Sequence, residues 1–184
     1  MSVEIPGYTA GTWAIDPVHS EVSFTVRHMM VSKVRGRFDK FEGTIVTAED
    51  PLASTVTASV DLSSINTGQE QRDAHIRSAD FFEVEKYPTM EFVSTAVKAA
   101  EVGFILEGDL TLKGVTKTVA FELEVNGIGP DAYGGTRIGF SATTQISRKE
   151  FGVDFNGPIP GVPGGVAVSD AVTINLEVEG VLQA

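Results

Sequence analysis

The histidines are the first residues in this sequence whose chemistry could define a function. There are three, His19, His28 and His75, and their spacing matches none of the zinc-binding motifs. The string Asp16-x-x-His19-Ser20 contains the residue types of a catalytic triad. However, neighbouring residues at the start of a strand point to opposite faces, whereas the members of a triad must converge. We therefore predict no metal centre, no cofactor and no nucleophilic catalysis.

Three residues have side chains suited to binding. His28 falls on the apolar face of an alternating stretch, so it is either a core histidine with local hydrogen-bond partners or a polar contact for a molecule bound inside. Arg72 and His75 lie three residues apart and share a helix face with Ile76, so they can hold an anionic head group. The alternative is a helix docked on the barrel, with Arg72 paired to a carboxylate such as Asp80 or Asp73 of a neighbouring chain.

Basic residues are concentrated in one short stretch. Five of the 14 Lys and Arg residues lie between residues 27 and 40, where Asp39 is the one acidic residue. Strand alternation turns Arg35 and Arg37 to the same side, which fits an anion site and a solvated surface equally well. The five residues are Arg27, Lys33, Arg35, Arg37 and Lys40.

The composition limits the classes of protein to which the chain can belong. It has 184 residues, 42% of them hydrophobic, no Cys, and a formal net charge of −11 from 14 basic and 25 acidic residues. The absence of Cys excludes disulfides and a Cys nucleophile, and the negative charge disfavours nucleic acid as a partner. Residues 1–6 have neither the charged nor the apolar region of a signal peptide, so we predict a cytoplasmic protein. The hydrophobic content suffices for one core, and we predict a single domain over residues 1–184.

Alternation of apolar and polar residues predicts that nearly the whole chain is β-structure. About eight alternating stretches are separated by turn signals such as Lys113-Gly114 and Asn126-Gly127. This arrangement favours an antiparallel meander in which most neighbouring strands are sequential. The clearest stretch places on one face Val22, Phe24, Val26, His28 and Met30.

Two short helical elements are expected beside the strands. Thr67 and Glu70 form a capping box ahead of a helix over residues 71–78. Residues 147–151 form a single helical turn that ends at Gly152.

The length of the strands favours a barrel. Several stretches run to about ten or eleven residues, where about five or six is usual. A closed barrel also removes the exposed sheet edges of a long meander, although a two-sheet sandwich gives the same alternation. Small residues such as Ala58, Gly108 and Ala142 fall among larger ones on the inner face. A hollow interior and a solid core are both compatible with this pattern.

Nine short motifs in a fixed order resemble those of a known family. They are Trp13-x-Ile15-Asp16-x-x-His19-Ser20, Phe24-x-Val26-x-His28, Val34-x-Gly36-x-Phe38, Ser64-Ile65-x-Thr67, Arg72-Asp73-x-His75, Asp80-Phe81-Phe82, Tyr87-Pro88, Gly108-x-Leu110-Thr111-x-Lys113-Gly114 and Arg148-x-x-Phe151-Gly152. This series is similar to the YceI-like family from Trp13 to Leu182. The resemblance implies an all-β fold, an extended eight-stranded antiparallel lipocalin-like barrel with one short helix and a helical turn. It also implies a homodimer, an apolar interior that binds polyisoprenoids such as polyprenyl pyrophosphates, and no enzymatic activity.

The resemblance and the residues together predict a function in binding, storage or transport of a long apolar ligand inside the barrel. The residues expected to line the tunnel are Phe24, Val26, Met30, Phe104, Leu106, Phe140 and Ile174, with His28 as a polar contact. The residues expected near the pyrophosphate are Arg72 and His75, or Arg35 and Arg37. Two alternatives use the same interior. One is a barrel isomerase or cyclase with His28 as acid or base, and the other is sequestration of hydrophobic toxins or antibiotics.

Overall fold

The alternating stretches form the strands of a β-barrel. The computed structural model describes residues 4–29, 31–156 and 168–184. Its strands are β1 (Gly11–Ile15), β2 (Glu21–His28), β3 (Ser32–Phe38), β4 (Phe41–Thr47), β5 (Thr55–Asp61), β6 (Ile65–Asn66), β7 (Thr89–Ala99), β8 (Phe104–Leu112), β9 (Val115–Pro130), β10 (Thr136–Ser147) and β11 (Ala171–Leu182). The helix α1 covers Glu70–Arg77, and 3₁₀ helices cover Pro51–Ala53, Leu62–Ser64 and Arg148–Phe151.

The ring of the barrel has eight strand positions. Three of these positions each hold two short strands, one after the other along the barrel axis. β1 and β2 both pair with β11, β1 through residues 180–182 and β2 through residues 173–177. β4 pairs with β1 while β3 pairs with β2, and β6 continues the line of β5 alongside β3. The ladder from β1 through β4, β5 and β7 to β11 returns to β1 and closes the ring. The predicted eight-stranded antiparallel barrel is therefore confirmed, and the sandwich alternative is excluded.

The two ends of the barrel differ. The closed end carries the loops 48–54, 100–103 and 131–135, and strands pair around the whole ring there. At the opposite, open end, β6 is two residues long, and no ladder joins it to β7 within the described residues. Helix α1 contacts β6, and Ile76 and Phe82 pack against the core beside it. The helix and the segment after it thus complete the wall that the short strand leaves unfinished.

Trp13 is the centre of the packing at the closed end. Its side chain is fully buried, and its Nε1 donates a hydrogen bond of 2.8 Å to Thr47 Oγ1. Ile45, Ile138 and Phe140 belong to the same buried cluster. Because a buried indole finds a partner for its N–H here, the closed end combines a large apolar burial with a satisfied polar group. A second and larger cluster continues from there toward the open end.

Two inner glycines accommodate aromatic rings. A Cβ on Gly36 would lie 2.3 Å from Phe24 Cζ, and a Cβ on Gly108 would lie 2.4 Å from Phe92 Cζ. The rings therefore cover the glycines at a distance that any side chain would prevent. The room that Gly108 suggests in the sequence is occupied by the Phe92 ring.

The predicted capping box of α1 is wrong. The helix begins at Glu70, and its N-cap is Gln69, whose Oε1 accepts a hydrogen bond of 2.6 Å from the Arg72 amide. Thr67 instead donates to Asp73, through its amide at 3.0 Å and through its hydroxyl. The helical turn at Arg148–Phe151 is confirmed, and it ends at Gly152 with the left-handed φ of 75°. No helix among the described residues has the length and hydrophobicity needed to cross a membrane.

Candidate functional site

An apolar cavity lies inside the barrel at the open end. This main cavity has a volume of about 270 Å³. Apolar pockets of about 150 Å³ already hold a benzene-sized molecule, and pockets for drug-sized ligands begin near 300 Å³. Six of the residues predicted as ligand contacts line it, namely Phe24, Val26, His28, Arg72, His75 and Ile174. Strand alternation explains the contribution of β2, whose even-numbered side chains all face inward.

Two smaller voids extend the main cavity toward the closed end. The first inner void, of about 80 Å³, shares Val22, Met90 and Ile174 with the main cavity. The second, also about 80 Å³, shares Leu106 and Phe140 with the first. The predicted contact Phe104 lines the second inner void. The half of the barrel near the open end is thus hollow, whereas the other half is packed apart from these two voids.

The depth of the barrel offers apolar contacts only. The rings of Phe24 and Phe38 lie 5.7 Å apart, and those of Phe38 and Phe82 lie 6.1 Å apart. No buried side-chain nitrogen or oxygen among the described residues lacks a hydrogen-bond partner. A ligand that enters therefore gains hydrophobic contacts in the interior and finds polar groups only near the mouth.

His75 forms part of an aromatic rim at the mouth. Its Nε2 lies 2.8 Å from Asp80 Oδ2, and its ring meets Phe81 and Phe155 edge-on at 5.1 and 4.9 Å between centroids. Phe155 is 40% exposed, although it also contacts Phe81. The rim places a hydrogen-bonding ring nitrogen beside apolar rings, so polar and apolar contacts lie side by side at the mouth.

Arg72 is positioned by Thr67 rather than by a carboxylate. Its Nε donates to Thr67 Oγ1 at 2.8 Å, and its Nη2 donates to Thr67 O at 2.7 Å. The carboxylate that the sequence offered as a partner, Asp80, contacts His75 instead. Within the described ranges no carboxylate lies at ion-pair distance from Arg72, so its charge at the mouth remains available to an anionic group.

Arg148 is a lining residue that the sequence analysis did not assign to the site. It is 5% exposed, and its guanidinium donates to four main-chain carbonyl oxygens on either side of the mouth, at distances of 2.8–3.2 Å. Burial lowers the pKa of this arginine because the charged form is desolvated. The signal was present in β10, where the inward alternation of Phe140, Ala142 and Ile146 continues to Arg148. The four acceptors are the carbonyls of Val153, Phe155, Val168 and Ser169.

Arg35 and Arg37 lie away from the main cavity. Both are exposed on the outer face of β3, and Arg37 Nε donates to Asp39 Oδ1 at 2.9 Å. They line a shallow polar groove outside the barrel, together with Glu21. The predicted contact Met30 lies outside the described residues.

The Asp16 and His19 motif forms an ion-pair cluster on the outside of the barrel. Asp16 Oδ2 lies 2.7 Å from His19 Nδ1 and 2.8 Å from Arg137 Nη1, which also lies 3.4 Å from Glu179 Oε2. Arg137, and to a lesser extent His19, hold the pKa of Asp16 well below its usual range. Asp16, His19 and Glu179 lie close enough to share a cation, but the guanidinium supplies that charge. The Ser20 hydroxyl accepts from the Glu179 amide at 3.0 Å and donates to the Glu179 carbonyl oxygen at 3.4 Å, so its hydrogen-bond partners are main-chain groups.

The solved structures most similar in shape include three from different bacteria. BcnA of Burkholderia cenocepacia superposes with a TM-score of 0.77 at 24% identity, covering 90% of this chain and 98% of that one. The Campylobacter jejuni YceI protein gives 0.72 at 26% identity, with coverage of 86% and 90%. A domain from Saccharophagus degradans described as polyisoprenoid-binding gives 0.71 at 19% identity, with coverage of 95% and 100%. These similarities agree with the observed barrel.

Sequence comparison gives the family. A UPF0312 protein of Vibrio cholerae serotype O1 is 39% identical over 178 residues, which cover 94% of this chain and 88% of the relative. The protein YceI of Escherichia coli O17:K52:H18 is 38% identical over 167 residues, which cover 90% and 83%. The family model for the YceI-like domain matches residues 13–180. The chain belongs to the YceI-like family.

Proposed function

We propose that this protein binds a ligand with a long apolar tail inside the barrel and holds the polar head of that ligand at the open end. The observation that carries the proposal is an apolar cavity of about 270 Å³ whose mouth is lined by Arg72, His75 and Arg148. The Saccharophagus degradans domain of similar fold is described as polyisoprenoid-binding. A polyisoprenoid or polyprenyl pyrophosphate is therefore the ligand that we favour, and storage or transport is the role we infer for its binding.

The energies assign separate roles to the tail and the head. At ~0.8 kcal/mol per buried methylene, each five-carbon isoprene unit contributes at most roughly 3–4 kcal/mol. Eight such units would exceed the ceiling of about 20 kcal/mol on non-covalent affinity, so ordering and imperfect fit must offset much of the gain. A charge-assisted hydrogen bond to the head adds about 1.5–3 kcal/mol. The tail therefore sets affinity, and the head sets orientation.

The size of the interior bears on the length of the tail. The main cavity accommodates a short apolar segment, and a longer one must reach the first inner void by displacing Val22, Met90 or Ile174. Methionine has three rotatable bonds and adapts to such displacement at low cost. We therefore expect the barrel to bind short prenyl chains without rearrangement and long chains with movement of these side chains.

Extraction of the purified protein tests the proposal directly. The protein is purified without detergent and extracted with organic solvent, and the extract is analysed by mass spectrometry. We expect an isoprenoid series in the extract. Titration of ligand-free protein with prenyl alcohols of increasing length should show affinity that rises with each unit. Affinity that does not depend on chain length would contradict a tail bound in the barrel.

A second candidate function is the capture of compact hydrophobic compounds such as toxins or antibiotics. The cavity volume, which is close to that of drug-sized sites, favours it. Competition between a compact compound and a long prenyl alcohol distinguishes the two functions, because a compact compound that binds tighter supports sequestration.

A cytoplasmic location and a homodimer are further parts of the proposed function. Cell fractionation tests the location, and light scattering tests the homodimer.

A further inference from the structure

Positive charge is concentrated on one hairpin at the open end of an otherwise acidic chain. Five of the 14 basic residues lie between residues 27 and 40, and outside this stretch nine basic residues face 24 acidic ones. We call residues 27–40 the basic hairpin. In its ladder Arg27 is opposite Lys33, and Arg35 is opposite Thr25. All three basic side chains lie on the outer face, because the alternate residues line the barrel interior.

The cations near the tip of the basic hairpin are not neutralised by the protein itself. Arg37 is paired with Asp39 at 2.9 Å. In the described part of the chain, no carboxylate lies at ion-pair distance from Arg27, Lys33 or Arg35, and all three are exposed. Their positive potential is therefore directed to the surroundings of the molecule.

The tip of the basic hairpin exposes apolar side chains between these cations. Val31 is 82% exposed and Met29 is 39% exposed. The Val31 amide donates to His28 O at 3.1 Å, which ties the turn to the end of β2. An exposed apolar tip with a cation on each flank has the composition of a segment that enters a lipid interface.

The basic hairpin also forms one wall of the main cavity. Val26, His28 and Val34 line the cavity from the same two strands whose outer faces carry the cations. A surface that contacts the tip of the hairpin therefore lies next to the mouth of the barrel.

We propose that the basic hairpin docks the open end of the barrel onto a lipid bilayer that contains anionic phospholipids. The outer cations contact the headgroups, and Val31 and Met29 enter the interface. Salt screens the repulsion between the membrane and the acidic remainder of the chain beyond about 8–10 Å. Within that distance, the repulsion favours the orientation in which the mouth faces the bilayer. The docking goes beyond ligand binding and does not depend on which ligand the barrel holds.

Co-sedimentation of the full-length protein with vesicles tests the docking. The vesicles are phosphatidylcholine alone and an equal mixture of phosphatidylcholine and phosphatidylglycerol. We expect binding to the mixed vesicles only, and weaker binding as salt increases. Lys33→Glu should lower the partition coefficient at least about fivefold, and Val31→Asp should lower it about tenfold.

Matched controls lie at the closed end. Lys98→Glu changes the net charge by the same amount as Lys33→Glu, and Val102 is 82% exposed like Val31. We expect Lys98→Glu and Val102→Asp to sediment like the unaltered protein. Equal losses in these controls, equal binding to both kinds of vesicle, or no sedimentation with either would overturn the proposal. Binding to nucleic acid that Lys33→Glu removes, without vesicle binding, would assign the surface to a different partner and overturn it as well.

Uptake of an uncharged apolar dye separates this result from the proposed function. The Lys33→Glu and Val31→Asp variants should bind the dye as the unaltered protein does, because neither side chain lines the main cavity. Dye uptake without vesicle binding would refute docking and leave ligand binding intact. Vesicle binding without dye uptake would refute the proposed ligand binding and leave docking intact.

Discussion

Gly36→Ala is the substitution that most directly tests whether the main cavity is the binding site. The new Cβ would lie 2.3 Å from Phe24 Cζ, so the ring must retreat by about 1 Å to reach ordinary contact. Phe38 lies on another side of this ring, at 5.7 Å between centroids. Movement away from the β3 wall therefore takes the Phe24 ring into the main cavity, which it lines.

The expected magnitudes follow from this overpacking. An extra methyl group in a packed interior costs about 1–3 kcal/mol in free energy of unfolding. The affinity for a compact apolar dye should fall at least about fourfold, which corresponds to one methylene's worth of lost contact at ~0.8 kcal/mol. Urea unfolding measures the first quantity, and fluorescence titration measures the second.

Gly108→Ala is the matched control. Its Cβ would lie 2.4 Å from Phe92 Cζ and 2.6 Å from the Val93 carbonyl oxygen, but Phe92 lines the first inner void and not the main cavity. We expect a loss of stability at least as large, because a backbone oxygen cannot move aside as a ring can, with unchanged affinity for the compact dye. Phe24→Leu combined with Gly36→Ala should relieve the collision and restore binding. Full dye affinity in Gly36→Ala, or an equal loss in Gly108→Ala, would refute the assignment of the main cavity as the site.

Three further predictions concern the head, the tail and the ion-pair cluster. Arg72→Ala should weaken binding of prenyl pyrophosphates at least about tenfold more than that of the matching alcohols in parallel titrations, because it removes a charge-assisted contact worth about 1.5–3 kcal/mol; equal weakening would remove Arg72 from the head-group site. Leu106→Phe should fill the inner voids, so that octaprenyl ligands bind less tightly while a compact dye is unaffected, as titration of both would show. The depressed pKa of Asp16 means that its contribution to stability is present above the ordinary value of 3.8 and is lost as pH falls through its folded pKa. Asp16→Asn should therefore be less stable than the unaltered protein at neutral pH in urea unfolding, with a difference that shrinks below pH 3.8, and a constant difference would contradict this account.

The sequence predicts the barrel and its inner face because both depend on local alternation. In β2, the side chains of Val22, Phe24, Val26 and His28 all line the main cavity, as their parity predicts. A strand with one apolar face can bury that face in only one register, so neighbouring strands confirm each other. The same rule applies to Arg148, whose parity with Ile146 places it in the wall, although the sequence analysis did not assign it there. Its position next to a helical turn obscured this signal.

The contacts of α1 could not be predicted because several nearby side chains of the same chemical type compete for the same partners. Thr67 is of a residue type that commonly caps helices, but its amide and its hydroxyl both donate hydrogen bonds to Asp73. Gln69 caps the helix instead. Arg72 then uses Thr67 as its acceptor, which leaves Asp80 to His75. Several side chains of the same chemical type compete for each partner here. The packing of the helix against β6 determines which side chain forms each contact, and local spacing does not encode that packing.

In the hollow half of the barrel, a small residue on the inner face has either of two structural consequences. A glycine on the inner face either leaves space or accepts a ring from the neighbouring strand, and both Gly36 and Gly108 accept rings. The difference lies in what stands opposite each ring. Phe92 meets Phe121 edge-on at 5.5 Å and fills the interior there, whereas the Phe24 ring borders the main cavity, whose wall α1 completes. The cavity therefore results from the short β6 and the helix beside it, and a binding site arises where the ring of strands is left incomplete.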